Sequence, residues 1–321
     1  MDALSEVLRL VQMTGAVFLN AELRAPWAVE SPSSDVLAQH FLPEADNLLE
    51  YHFVMAGQCW IELEGDEPMP LAAGDLVIIT RGEPHRMSSA RGIREPAVMA
   101  ADLHRLQPGI VNSPRYEGSG EMTRLVCGYL ALDRKLCAPL LAALPRVLRL
   151  DVSRSELGQW IESYLRFRLV DRLEDGPGGA CVLSKLSELM FVEAVRRYVE
   201  SMPPGQDGWL AGLKDVYVGK ALACLHGNPR RNWTVEDLAR EVGLSRSALA
   251  ERFTALVGRS PIQYLTSWRL ALAARMMSTS RRPSSAVAFD VGYDSEAAFS
   301  KAFKREFGAP PSQWRRINAV V

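Results

Sequence analysis

The chain has 321 residues, 48% of them hydrophobic and 23% charged, a composition that fits a globular protein of two domains. No apolar run approaches the ~18–20 residues of a membrane span, and the first ten residues, with Asp2 and Glu6 and no apolar core, do not read as a signal peptide, so a cytoplasmic location is expected. The net charge of −1 hides an asymmetry: residues 214–321 hold 17 Lys and Arg against 9 Asp and Glu, a balance of +8, whereas the rest holds 20 against 29, or −9. A basic C-terminal segment on an acidic body predicts a polyanion partner for that segment alone.

In chain order, residues 1 to about 20 read as an amphipathic helix, with Leu4, Val7, Leu8 and Val11 at helical spacing. From 21 to about 132 the pattern becomes short apolar runs (51–55, 59–64, 75–80, 123–132) punctuated by Gly57, Gly65, Gly74, Gly82 and prolines, which predicts a sandwich or small barrel. Near Asp133 the period returns to helical. Ser155 is placed to cap a helix through Trp160, Tyr164 and Leu165, and 175–179 reads as a turn. The next helix carries Leu183, Leu186, Leu189, Met190, Val195 and Val199 on one face, and the stripe of Leu186, Leu189, Met190 and Val195 is the expected surface of a homodimer. Residues 202–208, with two prolines and two glycines, form the best linker. The organisation expected is a β-rich domain over 1–150, a helical middle segment over 151–208 and an all-α domain over 209–321. Five cysteines, at 59, 127, 137, 181 and 224, are odd in number and lack any CxxC pair, so neither a disulfide framework nor a zinc finger is expected.

The last third contains a repeat. Ala239, Val242 and Gly243 recur 49 residues later as Ala288, Val291 and Gly292; Leu249, Phe253, Gly258, Pro261 and Tyr264 recur 50 later as Phe299, Phe303, Gly308, Pro311 and Trp314. In the first copy Thr234 is an N-cap with Asp237 three residues on, Gly243 ends the helix, and Ser245 caps a second helix with Ala248, Leu249, Phe253 and Leu256 as its buried face. In the second copy Ser284 or Ser285 caps the first helix, Gly292 turns, and Ser295 caps a helix burying Ala298, Phe299, Ala302 and Phe303. Residues 261–277 read as a helix bracing the pair. Two such units can enter successive major grooves if held ~34 Å apart.

The run from 233 to 316 resembles the double helix-turn-helix domain of the AraC/XylS family, most closely through Val291-Gly292-Tyr293, Ser295, Phe299, Phe303-Lys304, Gly308, Pro311-Ser312 and Trp314-Arg315. The resemblance implies base reading from the second helix of each unit, at Ser247, Ala250 and Glu251 in the first and Glu296, Ser300 and Lys301 in the second. Arg246, Arg252, Arg259, Arg269, Lys304, Arg305, Arg315 and Arg316 are the candidates for phosphate contacts, joined by the helix-start residues Ser245, Ser260 and Ser312.

In the β-rich part, Gly74-x5-Thr80-x-Gly82-x2-His85 resembles the second cupin motif and His52-x-Val54-x3-Gln58-x6-Gly65 the first, with Val54 and Gln58 where the pattern has His and Glu. Neither a metal nor a cofactor is therefore expected, and His52, Gln58, His85 and Cys127 are the candidate effector pocket, with Cys59 or His104 as further neighbours. The whole chain resembles AraC regulators with a cupin-type N-terminal domain, the subgroup of the reactive-chlorine-responsive activator. Thiol sensing there implies a cysteine near the end of the first helix, where this chain has Ala21. The fold expected is thus α+β and multidomain: a cupin-like β-barrel, a helical middle segment and a double helix-turn-helix domain. The function expected is that of a ligand- or stress-responsive transcription activator, not an enzyme, with double-stranded DNA, a small-molecule effector, RNA polymerase and a second copy as partners and no membrane. A cupin metalloenzyme with a DNA-binding appendage, and a constitutive DNA-binding protein with an inert barrel, are the alternatives.

Overall fold

A computed structural model describes residues 3–10, 13–43, 48–93, 115–132, 134–154, 156–169, 178–203 and 208–318. Ser155, His104, residues 175–177 of the expected turn and 204–207 of the expected linker lie outside these. The helices are α1 (Ala3–Leu10), α2 (Ser34–Phe41), α3 (Arg134–Ala143), α4 (Glu156–Leu169), α5 (Gly179–Ser201), α6 (Trp209–Lys214), α7 (Val216–Gly227), α8 (Val235–Val242), α9 (Arg246–Val257), α10 (Pro261–Thr279), α11 (Ser284–Asp290), α12 (Glu296–Phe307) and α13 (Pro311–Asn318). The strands are β1 (Met13–Arg24), β2 (Ala28–Ser31), β3 (Leu48–Ala56), β4 (Gln58–Leu63), β5 (Met69–Ala72), β6 (Asp75–Ile79), β7 (His85–Ser88), β8 (Arg115–Tyr116), β9 (Met122–Leu132) and β10 (Val147–Asp151). None of the described helices is long and apolar enough to cross a membrane.

The chain divides into two compact units. One holds 12–137 and 144–201, the other 1–11, 138–143 and 202–321. In the first unit a six-stranded sheet, in the order β10-β6-β3-β9-β1-β8, faces a four-stranded sheet, β2-β7-β4-β5. They share a core of Leu19, Trp27, Val54, Ile61, Val77 and Met87. The expected barrel is therefore an open two-sheet sandwich. Its two sheets differ as their sequences require. β4 alternates, burying Cys59, Ile61 and Leu63 while Trp60 and Glu62 point outward, as a sheet with one wet face must. β3 and β6 are buried along their length because both their faces are covered.

The second cover is α5. Leu186, Met190, Phe191 and Val195 are buried on this helix, which lies along β1 and reaches β10. Gly15 and Gly128 let it approach: a Cβ on Gly15 would stand 2.4 Å from the Ser187 side chain, and one on Gly128 would strike the Tyr51 ring, whose hydroxyl lies 2.7 Å from Ser187 Oγ. Of the stripe expected to pair two chains, Leu186, Met190 and Val195 are thus core of their own unit and Leu189 is half-buried, and the middle segment to residue 201 groups with the sandwich.

Three further expectations change. The amphipathic helix stops at Leu10, and 13–24 is strand β1, paired with β9 along its length. Past residue 12 the β-branched Thr14 and Val17 fit a pleated surface better than a helix. α1 itself buries Ala3 and Val7, packs on α7 and belongs to the unit of the C-terminal helices. α2 interrupts the strand region, burying Leu37, Ala38 and Phe41 at helical spacing. β10 lies within the stretch expected to be helical after 133; it pairs with β6, and Arg149 clamps Asp75 through two bonds of 2.9 and 2.8 Å.

Candidate nucleic-acid interface and buried histidine cluster

In the second unit, α8 begins at a reciprocal cap. Thr234 Oγ1 accepts from the Asp237 amide at 3.0 Å, and the Asp237 carboxylate accepts from the Thr234 amide at 3.2 Å. The helix ends at Gly243 in the left-handed region, φ 83°. Ser245 then caps α9 by accepting from the Ala248 amide at 3.2 Å. Leu249 and Phe253 anchor α9 inward; Ala248, expected on that face, is exposed. The second copy repeats the plan with α11, Gly292 at φ 92° and α12, which Ser295 caps through the Ala298 amide at 3.3 Å. Phe299, Phe303 and Phe307 hold α12 to the core, while Ala298 is again exposed. α11 differs: its cap position is Pro283 and has no side-chain cap bond, so neither Ser284 nor Ser285 caps it; both fall inside the helix.

All six base-reading candidates fall on α9 and α12. Ser247, Glu251, Glu296 and Lys301 are exposed; Ala250 and Ser300 are half-buried. The phosphate candidates separate into two groups. Arg246, Arg259, Lys304, Arg305 and Arg316 are exposed, as is Ser312 in the first turn of α13. Three arginines are engaged as struts. Arg252 bonds the Asp215 carboxylate at 2.9 and 2.5 Å. Arg269 donates to the carbonyls of Pro229 (2.6 Å) and Arg231 (3.0 Å), and Arg315 donates to the Arg282 carbonyl. The Ser260 amide, expected to face phosphate, donates to Gln263 Oε1 at 3.0 Å within a capping box. Single-sequence spacing marks a cation but not the carbonyl or carboxylate that the fold brings beside it.

The first unit holds a buried polar cluster between its sheets. β3 presents Glu50 and His52 on the face opposite Tyr51, at strand period two. His52 pairs with Cys127 on β9. On the facing sheet His85 of β7 pairs with Ser31 of β2. The side chains meet: His52 Nε2 lies 2.6 Å from His85 Nε2, His52 Nδ1 lies 2.9 Å from Cys127 Sγ, His85 Nδ1 lies 3.1 Å from the Glu83 carbonyl, and Ser31 Oγ lies 2.5 Å from Glu50 Oε2. Glu50 carboxylate oxygens stand 3.7 Å from His52 Nε2 and 3.8 Å from His85 Nε2.

One proton arrangement satisfies the chain. The Glu83 carbonyl can only accept, so His85 carries its proton on Nδ1 and offers a lone pair at Nε2. His52 must then donate from Nε2, and its Nδ1 accepts from the Cys127 thiol. Burial favours these neutral forms. It lowers His85 to about 4 and His52 well below the usual imidazole range, pushes Glu50 up to about 8 against the bond from Ser31, and raises the Cys127 thiol. Of the expected pocket, His52, His85 and Cys127 come together. Gln58 does not: it is exposed at the start of β4, and its carbonyl accepts from Thr123. Cys59 is buried in the apolar core, its thiol pushed up to about 12 by burial. Ala21 is buried on β1, not at the end of the first helix. Motif spacing does not mark Glu50; the alternation of β3, which puts residue 50 on the face of residue 52, does. Glu50, His52 and His85 each offer one ligand atom within 4.8 Å of the others, a set that can hold a metal ion.

The family model of the cupin domain matches residues 2–200, and that of the helix-turn-helix domain matches 238–317. A putative AraC-like transcription regulator of Streptomyces lividans is 33% identical, covering 98% of both chains. The HTH-type transcriptional regulator AlkR of Acinetobacter baylyi is 28% identical over 98% of this chain and 99% of its own, and the RCS-specific HTH-type transcriptional activator RclR of Escherichia coli is 27% identical over 98% and 97%. With a cupin domain ahead of two helix-turn-helix units, along the full length of these relatives, the chain belongs to the AraC-like transcription regulators.

Proposed function

We propose that this protein is a sequence-specific DNA-binding transcription regulator of the cytoplasm, an activator, whose sandwich unit senses a small-molecule or stress signal at His52, His85 and Cys127. The observation that carries the reading is the pair of equivalent helix-glycine-helix units on the segment of charge +8, each exposing the outer side of its second helix. α10 separates the units; its 19 residues span about 28 Å at 1.5 Å per residue, a length comparable to one turn of DNA. Ser247, Ala250 and Glu251 then face bases in one groove and Glu296, Ser300 and Lys301 in the next. Arg246, Arg259, Lys304, Arg305 and Arg316 contact phosphates.

A signal in the sandwich acts by binding one arrangement of the regulator more tightly than another. On this reading RNA polymerase and a second copy of the chain are its further partners, and pairing uses a surface other than the covered α5 stripe. The test is binding of full-length protein to genomic fragments recovered by genome-wide mapping. Tight binding to a shared sequence, with a log–log salt slope of about −4 to −5 for five phosphate contacts, is expected. Binding without sequence preference at physiological salt would refute it.

A further inference from the structure

We propose that Glu50, His52 and His85 bind one first-row divalent transition-metal ion, with the Glu50 carboxylate supplying the ligand that Val54 and Gln58 cannot. This departs from the expectation that the cupin pattern has lost its metal. That pattern leaves His52 and His85 and removes two ligands further along the chain. Val54 is buried and apolar, and Gln58 is exposed and turned away from the cluster. One pleat back along β3, Glu50 restores a carboxylate on the same face.

Two observations separate an ion site from a plain hydrogen-bond chain. The first is convergence. Both imidazoles direct Nε2 at one point between the sheets, and Glu50 oxygens stand 3.7 and 3.8 Å from those same two atoms. A tetrahedral ion with ligands at ~2.0–2.2 Å holds its donor atoms about 3.3–3.5 Å apart. The 3.7 Å contact is made by Oε1 and the 3.8 Å contact by Oε2, and the three ligand atoms lie within 4.8 Å of one another, so the carboxylate must turn and close by at most about 1.5 Å to bring one oxygen to both nitrogens. The 2.6 Å gap between the nitrogens must open by about 0.7 Å, within reach of small side-chain rotations. The second is the outer contact of each ligand. His85 Nδ1 is fixed by the Glu83 carbonyl, His52 Nδ1 by Cys127 Sγ and Glu50 Oε2 by Ser31 Oγ. Each side chain is thus oriented through its far atom, leaving the near atom for an ion.

Two imidazoles and a carboxylate suit Zn²⁺, Fe²⁺ or Cu²⁺ over Mg²⁺ or Ca²⁺, which prefer all-oxygen sites. On entry the ion takes the Nε2 lone pairs of both imidazoles: the His52 proton moves from Nε2 to Nδ1, which then donates to Cys127 Sγ, and the Glu50 carboxyl releases its proton to solvent. As a binding site this stands on the geometry alone; as the signal of the regulator it rests on the proposed function.

The test uses tag-free, full-length protein stripped with chelator and titrated with Co²⁺, read by its visible d–d absorption, then competed with Zn²⁺. One ion per chain is expected, with binding weakened at least tenfold in Glu50→Gln and in His85→Asn and unchanged in Cys181→Ser, which removes an exposed thiol. X-ray absorption of the Zn²⁺-loaded wild type needs no variant and should show nitrogen and oxygen neighbours including two imidazoles. No 1:1 binding, or binding indifferent to both cluster variants, or a sulfur-dominated shell, would overturn the site while leaving the regulator reading intact. DNA affinity is measured on the same samples. A filled site that leaves DNA affinity unchanged keeps the site and removes the metal as the signal.

Discussion

The two helix-turn-helix units share a plan but are stabilised differently. The first is secured by its own sequence: Thr234 and Asp237 cap α8 reciprocally, and Gly243 turns in open space, with nothing within 4 Å of where a Cβ would stand. The second lacks a side-chain cap on α11, and its Gly292 is crowded: a Cβ there would stand 2.9 Å from the Arg230 backbone and 3.0 Å from the Arg269 guanidinium. That guanidinium is itself held by the carbonyls of Pro229 and Arg231. The second turn is thus built against the loop that precedes the first unit, and α10, which carries Arg269, joins them. A repeat in sequence is not a repeat in what stabilises each copy. The first rests on local bonds and the second on tertiary contact.

Substitution at the two glycines should expose that difference most strongly. Gly292→Val meets both the left-handed φ and the Arg230 backbone. It should destabilise the unit by about 2–5 kcal/mol, combining ~1–2 for the conformation with ~1–3 for overpacking, and DNA binding should fall with it. Gly243→Ala meets only the conformational term, about 1 kcal/mol. Thermal melting that ranks the two alike would mean that the Arg269 contact does not hold the second turn.

Equivalent positions also differ in chemistry. At the repeat's offset of 50 residues, Glu251 of the first unit corresponds to Lys301 of the second. A lysine donates to guanine, whereas a carboxylate accepts from cytosine. Lys301→Ala should lose about 1–3 kcal/mol of DNA affinity, concentrated at one base position, whereas Arg316→Ala should weaken all sequences alike. A uniform loss for Lys301→Ala would move it to the phosphate set.

Acid should strain the surroundings of the first unit. His226 is buried, stacks on Trp268 with ring centroids 3.9 Å apart, and its Nε2 lies 2.8 Å from the Tyr264 hydroxyl. Burial holds its pKa at about 4, below the 6.5 of a free imidazole. The unfolded chain therefore binds more protons between these values. The stability from the neutral ring is complete above pH 6.5 and is lost as pH falls towards 4. The melting difference between wild type and His226→Phe should shrink over that interval; a difference independent of pH would show that the ring titrates normally when folded.

The sequence carried the DNA-binding half more legibly than the sensor, for a physical reason. Caps, glycine corners and helical periods are set by residues three or four apart, so Thr234, Gly243, Ser245 and Ser295 announce themselves. The sensor site is made by residues 33 and 75 positions apart, across two sheets, and motif spacing supplied only His52 and His85 of it. Glu50 has no motif of its own. Arg252 and Arg269 illustrate the same limit from the other side: each reads as a free cation, and each is fixed by partners 37 to 40 residues away. Likewise α5 has the stripe of a pairing helix, and only Gly15 and Gly128, remote in sequence, reveal that a sheet already covers it.

The smallest effect is the sharpest test of the contrast between the units. Thr234→Ala removes a hydroxyl that accepts from the Asp237 amide and donates to the Asp237 carboxylate, so it should lower stability by about 1 kcal/mol. At the repeat's offset of 49 residues Thr234 corresponds to Pro283, and Ser284, one residue on, lies inside α11, which has no side-chain cap bond. Within a helix alanine is the better residue by a few tenths of a kcal/mol. Ser284→Ala should therefore leave melting unchanged or raise it slightly, and Ser285→Ala likewise. A loss near 1 kcal/mol from either serine would show that the second unit does have a hydroxyl cap, and that its stability, like the first unit's, begins with its own sequence.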